Sequence, residues 1–148
     1  MEREDEDVTT FNFGPEFAGN VECLSDAEVC ASLRPSVLLL LTRTIKTRGG
    51  EDEVGPLTLK TRDYCTRSLS ERNTQELTEF SVRVRQDVKH LVDDIHNFEI
   101  AALCNLMSED SEPEEAKALI PSLQRYDDDL IEKVIAVVAA KPQAGGAA

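Results

Sequence analysis

The sequence predicts an all-α fold. Aromatic residues make up only 5% of the chain and there is no Trp, so a core must come from Leu, Val, Ile and Ala, which suits helices better than a β-sandwich. Apolar residues recur at steps of three and four, most clearly Leu77, Phe80, Val84, Val88 and Leu91, the period of one helix face. Two capping boxes, Ser25-Asp26-Ala27-Glu28 and Ser111-Glu112-Pro113-Glu114, pair a hydroxyl acceptor with a carboxylate reaching back, a signature of helix starts.

In chain order, residues 1–10 read as a disordered acidic tail, too polar to bury a core. Phe11-Asn12-Phe13 alternates ring and polar residue ahead of Gly14-Pro15, which predicts a short extended strand ended by the Pro. A helix starts at Ser25, is disturbed at Arg34-Pro35, where Pro removes a backbone donor, and resumes over Val37–Lys46, apolar nearly all round and hence buried. The loop Arg48–Pro56, with three Gly, one Pro and an acidic cluster, separates an arm and helix over 11–50 from a helical domain over 56–140.

In that domain a first helix runs over Leu57–Ser70. The second carries the Leu77–Leu91 stripe, with Arg83, Arg85 and Lys89 turned mostly away, and this stripe is expected to face Phe98, Leu103 and Leu106. Asn97 caps a third helix, with Phe98, Ala101, Ala102 and Leu103 on its inner side. Pro113 opens a fourth, ending near Leu119-Ile120-Pro121. Asp127 to Asp129 place negative charge at the start of a last helix through Val138, where it favours the dipole. Residues 141–148 read as a flexible tail.

Charge limits the function classes. The formal net charge is −13, yet Arg34–Arg72 holds eight Lys/Arg and five Asp/Glu, so that stretch is +3 and the remainder −16. Such acidity disfavours a free-standing phosphate-backbone binder, whose affinity comes from cations displacing counterions. It favours a protein partner. Cys23, Cys30, Cys65 and Cys104 form no CxxC pair, and Glu2-Arg3-Glu4-Asp5 is no signal peptide, so reduced thiols are expected. Val37–Leu41 is the longest apolar run, against the roughly 20 residues a bilayer span needs, and no membrane role is expected.

No catalytic pattern emerges. Gly49-Gly50 lacks the Lys-Ser/Thr of a phosphate loop. His90 and His96 stand six apart without a zinc-binding pattern, and a His at a helix end reads as a cap or a solvated side chain. Cys104 reads as a small buried apolar residue, and the carboxylates cluster where capping and solvation explain them. No enzyme activity, cofactor or metal is expected. Arg62, Arg67 and Arg72 form either a solvated stripe with local acid partners or a polar contact to an acidic surface or passing nucleic acid. Three of the five Phe, at 11, 13 and 17, lie in a segment too short to bury them itself. They either pack on this chain's own helices or add as a strand to another protein's sheet, with Phe11 and Phe13 on one face.

Asn12-Phe13-Gly14-Pro15-Glu16-Phe17 with Leu24-Ser25-Asp26-Ala27-Glu28-Val29 resembles the opening of the small stalk subunit family of eukaryotic RNA polymerase II, a family with archaeal relatives. Lys60-Thr61-Arg62-Asp63-Tyr64-Cys65-Thr66-Arg67 is similar to that family's Lys-Thr…Tyr…Arg helix. The most specific matches are Phe98-Glu99-Ile100-Ala101-Ala102-Leu103-Cys104-Asn105-Leu106 and Glu114–Leu123. The set is in the family's order along nearly the whole chain. The stretch Ser68–Asn73 departs from the pattern in lacking aromatics.

The resemblance implies an HRDC-like helical domain preceded by a strand-like partner-binding arm and helix. It implies a nuclear, non-catalytic protein in a heterodimer with the larger stalk subunit, which carries an RNP-like domain and an OB-fold. That dimer would dock on the polymerase core near the RNA exit channel, support initiation and make a weak contact with nascent RNA. Phe11, Phe13, Pro15, Phe17, Leu24, Val29 and Leu33 are the expected partner-binding residues. The alternatives are the matching stalk subunit of another nuclear polymerase and an HRDC-like nucleic-acid-binding module acting alone.

Overall fold

Helix starts in this chain are set by short polar caps and by Pro. The computed structural model describes residues 6–19, 21–34, 55–69 and 74–140. The expected Val37–Lys46 helix, nearly all of the Arg48–Pro56 loop, Arg72, the first five residues and the 141–148 tail lie outside them, as does the Leu77 side chain. Six helices are described: α1 (Asp26–Ser32), α2 (Pro56–Leu69), α3 (Thr74–Leu91), α4 (Asn97–Leu106), α5 (Pro113–Leu119) and α6 (Asp128–Ala139). Single 3-10 turns cover Val8–Thr10, Pro15–Phe17 and Pro121–Arg125. The chain is all-α as expected.

The one β feature among the described residues is an isolated bridge between Asp7 and Asn12. It corrects the expected strand at Phe11–Phe13. Asp7 accepts from the Thr9 N–H at 2.9 Å, a local side-chain bond that starts a tight turn. Phe11 closes that turn in the left-handed region, φ 59°, so the backbone reverses where a strand would continue.

Cap positions differ from the sequence reading at two helices. His96 caps α4: its Nδ1 accepts from the Phe98 N–H at 3.1 Å, and Glu99 accepts from the His96 N–H at 2.9 Å. Asn97, the expected cap, is the first helical residue. At α5 the cap is Glu112 and not Ser111, because Pro113 at the first helical position pushes the residue before it into extended geometry. The Ser111 hydroxyl accepts instead from the Ser108 N–H at 3.0 Å. Asp127 caps α6 as its charge predicts, accepting from the Leu130 N–H at 2.8 Å.

The chain divides into two compact units. The first joins the residues up to Ser25 with Arg83 onward, and the second is Asp26–Val82. In the first, Val88, Ile100, Leu103, Leu123, Ile131 and Val134 are wholly buried, joined by Val84, Val92, Ile95, Ile135 and Val138. Val84, Val88 and Leu103 confirm part of the expected stripe. Leu91 and Leu106 do not, being 40% and 51% exposed. The inner row steps by four from Val84 through Val88 to Val92, whose N–H still bonds the Val88 carbonyl at 2.9 Å, so Leu91 turns aside. In the second unit α1 packs on α2 and Cys65 is buried.

Candidate functional site

The amino-terminal arm folds onto the start of α4 within the first unit, and its rings make the most developed aromatic cluster among the described residues. The Phe11 ring stacks on His96, centroids 4.2 Å apart and planes 7° from parallel. Phe13 lies tilted 6.2 Å from His96 and 5.2 Å from Phe98, the offset geometry that ring quadrupoles favour. Gly14 has φ 95°, and a Cβ there would stand 3.1 Å from the Glu6 carboxylate. The angle requires glycine at that bend, whereas the exposed Glu6 side chain could move aside. At the arm's other end Arg85 donates to the Cys23 carbonyl, which corrects its expected outward orientation.

Beneath the rings lies a charged group with no solvent access. Glu99 has 0% exposure and accepts from Arg125 Nη2 at 2.8 Å, from Arg125 Nη1, from Ser122 Oγ at 2.6 Å and from the His96 N–H at 2.9 Å. Every lone-pair direction of the carboxylate is used, which is what a buried charge requires. The hydrogen bonds that Arg125 donates to Glu99 raise the Arg125 pKa above its ordinary value. The guanidinium lies 5.6 Å from the Phe11 centroid and 4.3 Å from that of Tyr126, within reach of a cation–π attraction. Burial, then the hydrogen bond to Asp94 at 2.9 Å, pushes Tyr126 up to about 12.

The outer side of the arm is open. A hollow of about 360 Å³ is bounded by Phe11, Phe13, Phe17, Val21, Cys23 and His96. Phe17, Val21 and Leu24 are 53%, 43% and 46% exposed. Residues 6–24 carry four carboxylates and no Lys or Arg.

The expected partner-binding residues therefore separate. Phe11 and Phe13 are half-buried on this chain's own α4, the first of the two readings left open by the sequence. Pro15, Phe17 and Leu24 are exposed beside them in the first unit. Val29 and Leu33 belong to the second unit, half-buried on α1 and just after it.

Glu99 and Arg125 were not expected here, whereas the reading of His96 as a cap or a solvated side chain included the cap it makes. The available signal was Glu99 alone among Phe98, Ile100, Ala101 and Leu103, since a carboxylate on an inner helix face needs a partner. Among the described residues no three His, Cys, Asp or Glu side chains gather into a metal-holding group. No helix among them is long and apolar enough to cross a membrane. No model of a known protein family matches the chain.

Proposed function

We propose that this chain is a non-catalytic binding subunit, the smaller stalk subunit of nuclear RNA polymerase II, and that it acts by holding the larger stalk subunit. The ordered resemblance from Asn12 to Leu123 supports the choice of family. The observation that carries the binding role is the exposed run of Phe17, Val21 and Leu24 beside a ring-lined hollow on a fixed arm. Side chains of that size left half in water mark a surface awaiting a partner. The buried Glu99–Arg125 pair and the Phe11–His96 stack give that surface a rigid floor, so binding orders little new chain. In this reading the heterodimer docks near the RNA exit channel, and its role is to support initiation and to handle emerging RNA.

The experiment is a titration of the purified larger stalk subunit against wild type and two double variants. Phe17→Ser with Leu24→Ser removes only exposed area, so helicity and Tm should stay unchanged. Affinity should fall about 100-fold, from roughly 1–2 kcal/mol per side chain that the partner would finish burying. Phe11→Ser with Phe13→Ser should lower Tm, because those rings pack on α4. Absence of any affinity in the wild-type chain overturns the stalk reading.

A further inference from the structure

A second exposed surface, on α2, plays no part in the partner-binding reading and stands independently of it. We infer that the outward face of α2 is a docking site for an acidic peptide segment carrying apolar side chains. Leu57, Lys60, Tyr64 and Arg67 follow one another at steps of three and four, so they share one helix face. The opposite side buries Cys65 at 2% exposure, in the pair that α2 forms with α1. Leu57 is 77% and Tyr64 59% exposed, and Lys60 and Arg67 are exposed with them.

The neighbouring negative charge is already engaged. Asp63 accepts from Arg62 Nε at 3.1 Å and Nη2 at 2.9 Å. Lys60 has no hydrogen bond or ion pair among the described residues, and Arg67 donates from Nε to the Asp63 carbonyl at 3.3 Å. Among the described residues neither Lys60 nor Arg67 is in an ion pair, and the two flank an exposed ring and an exposed Leu. A shallow hollow runs between Lys60, Asp63, Thr66 and Arg67.

Charge complementarity selects the occupant. Lys60 and Arg67 are about 10 Å apart along the axis at the helical rise, a separation that carboxylates a few residues apart on a peptide can span. Leu57 and Tyr64 then take apolar side chains lying between those carboxylates. Single-stranded nucleic acid fits less well. It gains affinity from successive stacking platforms, whereas this face offers one ring beside an aliphatic side chain. A net −13 also repels a long polyanion more than a short peptide.

The test is fluorescence anisotropy with the full chain and a labelled peptide alternating Asp or Glu with Leu and Phe. Saturable binding is expected, weakened at least 10-fold by Lys60→Glu with Arg67→Glu and also by Tyr64→Ser, with circular dichroism and Tm unchanged. Should the charge reversal unfold the chain, Lys60→Gln with Arg67→Gln removes the same charges more gently and should give the same loss. Replacing the peptide's Leu and Phe by Ser should weaken binding comparably. No saturable binding, or equal affinity in folded variants, overturns the inference. So does tighter binding of single-stranded oligouridine lost in the same variants, which would make the face a nucleic-acid contact.

Discussion

At the scale of single residues, the stability of the first unit centres on Glu99. Its carboxylate is buried while the Arg125 side chain keeps 34% exposure, so removing one partner is not equivalent to removing the other. Arg125→Ala leaves a buried charge with only Ser122 and a backbone N–H, and is expected to cost about 3–5 kcal/mol. Glu99→Gln leaves Arg125 able to rehydrate and is expected to cost less, about 1.5–3 kcal/mol. Urea unfolding of the two variants checks the order, and a milder Arg125→Ala would refute it. Tyr126 supplies a pH signature. Its pKa is raised from 10.0 to about 12, so between those values the folded chain holds a proton that the unfolded chain has lost. Stability is then full below pH 10 and declines as pH rises towards 12. Tyr126→Phe should remove that part of the decline, and the phenolate absorbance of wild type should show one tyrosine ionising near 12.

At the scale of elements, spacing sets which helices form and neighbours set which face turns inward. The steps of three and four in α3 place Val84 and Val88 at 2% and 0% exposure. Val84→Asp is therefore expected to unfold the first unit by burying an unpaired charge. Leu91→Asp and Leu106→Asp, at half-exposed positions 40% and 51% open to water, should cost much less, about 1–2 kcal/mol from lost apolar burial and a carboxylate at a helix C-terminus. Thermal unfolding separates the two groups, and a stable Val84→Asp would refute this account of α3. The arm shows why the strand expectation failed. Alternation of Phe11, Asn12 and Phe13 is a genuine period-two signal, but a single short strand has no stability without a sheet. Asp7 offers a local turn instead, and the His96 and Phe98 rings on α4 offer a surface. Stacking is worth enough to hold Phe11 at a positive φ that a bulky residue rarely adopts.

At the scale of the whole molecule, charge is divided as the structure divides. Asp26–Val82 holds eight Lys/Arg and nine Asp/Glu, a net −1, which leaves −12 for the rest of the chain. The isolated chain is expected not to retard single-stranded RNA at low salt, because the first unit carries most of the −13 charge and no basic groove is found among its described residues. Retardation that weakens steeply with added salt would contradict this.

The sequence by itself determined the helical class, the positions of α2, α5 and α6 to within a residue or two, the inner stripe of α3 in part, and the acidic balance. Those rest on local periods, Pro placement and composition, which act within a few residues of chain. It left open whether Phe11, Phe13 and Phe17 pack on this chain's own helices or on another protein. Tertiary structure alone decided that Phe11 and Phe13 are covered by α4 while Phe17 is left half in water. It likewise decided that Glu99 meets Arg125 across 26 residues. A local pattern states that a ring or a charge needs a partner. Which partner it finds depends on contacts distant in sequence, whose loop-closure cost only the assembled core offsets.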